Sequence, residues 1–156
     1  LLIFEDRVNR YALDKEKTEK LVPYMCLFYL GVNRKSPEIQ EGLRTLKLRQ
    51  KMALDRIKSL AYDGLGAIES GDVLLLGDIL DETWEEKKKS NTGVSTELIE
   101  EIYQRGKKLG ALGGKVMGAG GGGHILFITK DPEKLIAGIG IRHIPFKIDW
   151  EGLVIK

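Results

Sequence analysis

Strand-like and helix-like segments fall in separate blocks along this chain, which predicts an α+β fold with helices on one face of a largely antiparallel sheet. Three observations carry that prediction. Apolar, β-branched and aromatic runs mark strands near both ends and around a glycine-rich stretch. The middle of the chain reads as successive helices, with apolar residues at three- and four-residue steps. The glycine-rich stretch is followed by a strand, so it joins strand to strand and does not open a helix.

Residues 2–13 mix apolar and charged positions, as a strand open on one face does, and residues 14–20 are polar, a turn or a short helix. A second strand covers about 24–30, bounded by Pro23 and Gly31. Ser36-Pro37-Glu38 starts a helix, with serine as the cap and proline in the first turn. That helical stretch runs to about Ser70, broken near Gly42, with an apolar stripe of Leu46, Ala53, Ile57, Leu60, Ala61 and Ile68. Gly64 and Gly66 interrupt it at up to ~1 kcal/mol each against alanine, and close packing of that face is one reason to accept the cost. Gly71-Asp72 then caps a helix over 73–89, in which Leu76, Leu80 and Trp84 recur every four residues. Its last turn carries Lys87, Lys88 and Lys89, which suit the negative end of the helix dipole and read as a solvated helix end. Ser95 caps a helix over 96–109 with Leu98, Ile102 and Leu109 inward, closed by Gly110. After the glycines and the strand 125–129, Asp131-Pro132 opens a short helix to about Ile139. Residues 142–156 read as a hairpin, with Ile144, Phe146, Ile148 and Trp150 alternating before Glu151-Gly152. A ferredoxin-like sandwich is the simplest fold with this order.

At 156 residues the chain is one domain, or one half of a larger enzyme. A formal charge of +2 points to no nucleic acid and no membrane surface as partner. The single cysteine, Cys26, sits in an apolar run and reads as a buried small hydrophobe; no disulfide framework exists, which suits a cytoplasmic setting. No apolar stretch approaches the ~18 residues of a membrane span. The chain opens without methionine on Leu1-Leu2-Ile3-Phe4, which suggests a piece of a longer protein.

Eight glycines fall within the fourteen residues from Gly110 to Gly123. Glycine loses more conformational freedom on folding than any other residue, so such a run needs backbone with positive φ, or bare backbone against something bulky such as a phosphate. Gly118-Ala-Gly120-Gly-Gly-Gly123 satisfies the dinucleotide pattern only formally, because Ile125–Thr129 follows as a strand and no helix opens there. The nucleotide P-loop also fails, since no Lys-Ser or Lys-Thr follows the glycines. A structural hairpin connection remains as the bland alternative.

The run Lys115-Val-Met-Gly118-Ala119-Gly120-Gly121-Gly122-Gly123 resembles the third motif of the GHMP kinases, a family that includes galactokinase, homoserine kinase and mevalonate kinase. Leu27-Phe28-Tyr29-Leu30-Gly31 followed by Arg34, Trp84 with Lys87 and Lys88, and Gly110-Ala-Leu-Gly-Gly-Lys115 are similar to the heptose 7-phosphate kinase branch. The resemblance spans nearly the whole chain, 1–156, and implies the C-terminal lobe of a kinase that transfers the γ-phosphoryl of ATP, with Mg²⁺, to a small molecule. In the family the main phosphate loop, the catalytic aspartate and the metal-binding acid belong to an N-terminal lobe, absent from this chain, which would bind most of the ATP and Mg²⁺. No catalytic or metal-binding role therefore passes to a residue here. What passes is the phosphate and substrate loop: Gly118, Ala119, Gly120, Gly121 and Gly122. Lys115, Arg34 and His124 are candidate substrate contacts, each with an ordinary surface or strand role as its alternative. Asp78, Asp81 and Glu82 lack metal-like spacing and read as solvated surface.

The implied partners are the protein's own N-terminal lobe and a sugar-phosphate substrate, with a homodimer open. The lone chain is then expected to turn over nothing, and valine at Gly120 or Gly121 to hurt phosphoryl transfer far more than folding. The competing readings are a GHMP kinase for another small molecule, such as fucose, galactose or mevalonate, and a stand-alone, non-catalytic binding or regulatory module.

Overall fold

In a computed structural model, which describes residues 2–4, 8–32, 47–91 and 93–151, the chain forms six strands and five helices within those limits. They run β1 (Leu2–Phe4), β2 (Val8–Arg10), α1 (Lys15–Leu21), β3 (Met25–Tyr29), α2 (Leu48–Ser70), α3 (Val73–Ser90), α4 (Glu97–Lys108), β4 (Ala111–Val116), β5 (His124–Thr129), α5 (Pro132–Gly138) and β6 (Arg142–His143). β1 and β2 pair only with each other, so the single strand expected over 2–13 is a two-stranded ribbon. The main sheet has the order β4-β5-β3-β6, with every neighbouring pair antiparallel. Residues 14–20 resolve as α1, capped by Asp14 accepting from the Lys17 amide at 2.9 Å. The predicted helix start at Ser36, the break at Gly42 and stripe residue Leu46 lie outside the described residues.

Alternation along β3 and β5 divides the sheet into two faces. Cys26, Phe28, Ile125 and Phe127 point to one, where Ile99, Ile102 and Tyr103 of α4 and Leu135 of α5 close the core. Phe127 is its hub, with its ring centroid 6.2 Å from that of Phe28 and 5.8 Å from that of Tyr103. The α+β class and antiparallel sheet are those expected, with one addition. The α2–α3 hairpin lies at the β4 edge and packs Leu60, Ala67, Leu76 and Ile79 against Ile128, on the opposite face. The rest of that face, from Leu27 and Tyr29 to His124, Leu126 and Lys115, is only half-buried. Gly64 faces Ile79 at ordinary contact distance, and Gly66 faces nothing within 4 Å, so close packing does not account for that second glycine.

Two boundaries differ from expectation for local reasons. The cap of α4 is Thr96, which accepts from the Ile99 amide at 3.3 Å; the Ser95 hydroxyl instead bonds Glu100. The face that α4 buries carries Ile99, Ile102 and Tyr103, so Ile102 is inside as expected while Leu98 is left 43% exposed. The tail hairpin is reduced to β6, because the Ile144 amide makes the last bond to β3 and Pro145 has no amide to continue the ladder. Trp150 instead donates its indole N–H to Glu19 at 2.5 Å, and residues 152–156 lie outside the described residues.

The contact that positions the site is α3 on β4. A β-carbon on Gly113 would sit 2.0 Å from the Gly77 carbonyl oxygen, and one on Gly77 would sit 2.6 Å from Leu112 Cβ. Helix and strand meet backbone to backbone. Lys107 straddles the same corner, bonding Asp81 at 3.1 Å and the Leu112 carbonyl at 2.6 Å. Gly113→Ala should therefore cost about 3 kcal/mol or more by overpacking, whereas Gly66→Ala should add roughly 0.5–1 kcal/mol by restricting the unfolded chain. Urea unfolding of the two variants checks both signs.

Candidate functional site

The loop from Met117 to Gly123 joins β4 to β5 and is held on three sides by its own domain. Met117 donates to the His124 carbonyl at 2.8 Å, closing the hairpin. Leu30 donates to the Gly123 carbonyl at 2.9 Å and Gly123 to the Val32 carbonyl at 2.7 Å, extending the β3 pairing past Tyr29. Gly121 donates to the Val94 carbonyl at 2.6 Å, in the connection between α3 and α4. Finally, the Lys87 ammonium donates to the Gly118 carbonyl.

Gly120 and Gly121 have φ of 99° and 72°, the positive values that the sequence reading assumes. The space beside Gly120 is taken, however, by this domain itself: a β-carbon there would lie 2.7 Å from Val94 Cβ and 2.8 Å from the Val94 carbonyl oxygen. The expectation that valine at Gly120 spares folding is thereby corrected, since the side chain would strike backbone of the same domain. Gly118 is exposed, with φ of 68° and nothing within 4 Å of a β-carbon. Ala119 packs on the edge of the core, and Gly122 is buried. Among the described residues, nothing accepts a hydrogen bond from the amides of Gly118, Ala119, Gly120 or Gly122. Gly120 and Gly122 are buried, and buried backbone donors nearly always find a partner, so this group is one that a ligand or an apposed loop can satisfy.

Two lysines flank these amides. Lys115, on β4, points to the half-open face beside Leu126 and lines one end of a cleft of about 560 Å³ between α2 and α3, whose walls include Leu54, Ile57, Leu80 and Thr83. Burial pulls its ammonium below the usual lysine range. Lys87 is in the last turn of α3, and burial, then the like charge of Lys115, push it down to about 8. The neighbouring carboxylates are already engaged. Asp81 pairs with Lys107, Glu82 with Arg56, Glu86 with Lys89, and Glu85 and Glu100 with Lys88.

The solvated reading of the lysine run thus fails for Lys87. The signal that would have found it is its spacing: it follows the buried Thr83 and Trp84 by four and three residues, on the inward face of α3. Lys88 lies over the Trp84 and Tyr103 rings at 5.8 and 5.9 Å and is structural. His124 is half-buried at the foot of the loop, its ring 5.3 Å from that of Tyr29, so it forms part of the wall of the half-open face. Arg34 lies outside the described residues. Cys26 is fully buried, and burial raises its thiol to about 11, which excludes it as a nucleophile at neutral pH. Among the described residues no three His, Cys, Asp or Glu side chains gather to hold a metal, and no helix is long and apolar enough to cross a membrane. The arrangement can position and neutralise an anion.

Lys87 also gives a pH signature. Its folded value of about 8 lies below the ordinary 10.5, so the unfolded chain binds more protons between those values. Its contribution to stability therefore rises as pH rises from about 8 to 10.5, and the cost of the buried charge is fully present below pH 8. The difference in urea midpoint between the parent chain and Lys87→Met should be flat near neutral pH and move in favour of the parent across that alkaline window. Parallel curves would refute the assignment.

Comparison with known proteins meets this geometry at the same residues. The family model described as GHMP kinases C terminal matches residues 65–139, which include α3, α4, the glycine loop and α5. An L-fucokinase/L-fucose-1-P guanylyltransferase of Bacteroides fragilis is 32% identical over 122 residues, covering 76% of this chain and 12% of that protein. A D-glycero-alpha-D-manno-heptose 7-phosphate kinase of Campylobacter jejuni is 31% identical over 130 residues, covering 81% of this chain and 38% of that protein. Among solved structures, a D-glycero-D-manno-heptose 1-phosphate kinase from Bacteroides thetaiotaomicron superposes with a TM-score of 0.60 at 25% identity, covering 90% of this chain and 38% of that one. The chain therefore spans well under half the length of these relatives. With the matched segment, the antiparallel sheet and the pinned glycine loop in agreement, the chain belongs to the GHMP kinase family, as its C-terminal domain.

Proposed function

We propose that this chain is the C-terminal lobe of an ATP-dependent sugar kinase that phosphorylates D-glycero-D-manno-heptose 7-phosphate at its anomeric hydroxyl. The observation that carries the reading is the match over 81% of the chain to the Campylobacter heptose 7-phosphate kinase. The site's physics supports it. Phosphoryl transfer asks for positioning and charge neutralisation, and the described residues supply unpaired loop amides and two lysines without carboxylate partners. ATP supplies the phosphoryl group, and Mg²⁺ with most of the nucleotide contacts belongs to an N-terminal lobe. Gly118 to Gly122 form this lobe's wall of the phosphate pocket, Lys115 and His124 its substrate side. The protein works in the cytoplasm, and the lone lobe is inactive and prone to pair with a second copy through its uncovered face.

A second reading, phosphorylation of L-fucose, is favoured by the 32% identity to the Bacteroides fragilis enzyme. Assay of a two-lobed polypeptide with Mg-ATP separates them. Heptose 7-phosphate should exceed L-fucose in kcat/KM by about 100-fold, the discrimination that charge-assisted contacts to a phosphate provide; a preference for fucose would reverse the order of the readings.

Within that polypeptide, Gly118→Ala should lower kcat/KM at least about tenfold, because it disturbs the free amides, while costing only about 1–2 kcal/mol of stability from its positive φ. Gly120→Ala should lose distinctly more stability, since its β-carbon meets Val94. Equal stability losses, or an undamaged kcat/KM in Gly118→Ala, would return the loop to a purely structural role.

A further inference from the structure

We propose that Lys87 and Lys115 together form a seat for a phosphate monoester dianion, the ester already present on the sugar and not the phosphoryl group being transferred. The inference rests on the kinase reading for the identity of the ligand, but the seat itself is argued from the geometry of this domain.

Like charges are brought together in a partly dehydrated place only where something repays the repulsion. Lys87 bonds the Gly118 carbonyl, three residues along the chain from Lys115. Burial lowers both ammonium groups, and the like charge of Lys115 lowers Lys87 further. Six carboxylates of α3 and α4 are committed to other cations: Asp81 to Lys107, Glu82 to Arg56, Glu85 and Glu100 to Lys88, Glu86 to Lys89, and Glu101 to Arg105. Among the described residues neither lysine has an ion pair. The domain therefore leaves two positive charges for an outside anion. A single carboxylate would neutralise one of them; a phosphate monoester, near −2 at neutral pH, matches both.

Donor geometry agrees. An ammonium carries three N–H groups, and Lys87 spends one on the Gly118 carbonyl. Lys115 spends none on the described residues, and the amides of Gly118 and Ala119 lie free beside the anchored carbonyl. The seat is also reachable, because Lys115 lies on the half-open face and at one end of the α2–α3 cleft. A substrate that brings no phosphate, such as an unphosphorylated hexose, leaves the two charges uncompensated, so the seat selects phosphorylated sugars.

Calorimetric titration of inorganic phosphate into this chain tests the seat without any turnover. Saturable binding is expected with Kd on the order of 1 mM, weakened at least about tenfold in Lys115→Met. Lys115 makes no hydrogen bond to the described residues, so folding should survive its removal, as a circular dichroism melt would verify. Lys87→Arg should retain binding and Lys87→Met should lose it. Absence of phosphate binding, or equal binding by the parent and Lys115→Met, overturns the seat even if the two-lobed protein proves to be a kinase. Conversely, a two-lobed protein without sugar kinase activity would defeat the kinase reading and leave the phosphate titration intact. In an active two-lobed protein, Lys115→Met should raise KM for the sugar phosphate about tenfold with KM for ATP nearly unchanged; the opposite pattern would assign the seat to the nucleotide and overturn the proposal.

Discussion

With the Gly77 carbonyl where a Gly113 side chain would begin, α3 lies on β4 with no side chain between the two backbones. Much of the site depends on that approach. It lays the length of α3 along the strand that leads into the glycine loop, so that Trp84 enters the core and Lys87, less than one turn later, meets the Gly118 carbonyl. It also brings the α3–α4 connection over the loop, where Val94 accepts from Gly121 and fills the space beside Gly120. The glycines on either side of Lys115 thus have different duties: Gly113 admits a helix, and Gly120 admits a neighbouring loop. A side chain at either place would displace the elements that hold the lysines and the amides together.

The loop is consequently a pre-formed surface. Its turns with positive φ are set by bonds from β3, from Val94 and from Lys87, all within this domain, while a run of amides finds no partner among the described residues. Binding that needs no reordering of backbone avoids much of the entropic cost of association. The electrostatics follow the same logic. Most carboxylates near the loop are matched with a cation, and among the described residues the two lysines closest to it have no ion pair, which leaves a charge that an anion relieves. Among the described residues no three His, Cys, Asp or Glu side chains gather beside the loop to hold a metal.

The sequence made the architecture legible wherever local chemistry decides it. The Asp72 and Asp131 caps, the left-handed Gly71 and the buried alternation of β3 stand where spacing places them. It misled where two local solutions compete. Ser95 and Thr96 are both good caps, and Thr96 takes the role; Leu98 and Ile99 both lie at helical spacing from Ile102, and the core takes Ile99. The tail alternates as a strand should, yet Pro145 ends the ladder after one bond. In the site, the glycine run announced bare, positive-φ backbone, but not that its neighbour at Gly120 is Val94, because a contact between residues distant in the chain leaves no local pattern. Lys87 hid in a basic helix end, where composition suggests solvent and only its spacing from Trp84 indicates the interior.

The most direct test of a loop built by its own domain is amide hydrogen exchange on this chain alone, read residue by residue. The Gly121 and Gly123 amides, bonded to Val94 and Val32, should exchange slowly, approaching the protection of β5, while Gly118 and Ala119 exchange quickly. Uniformly rapid exchange from Gly118 to Gly123 would contradict a pre-formed loop and would mean that its shape is imposed by a partner.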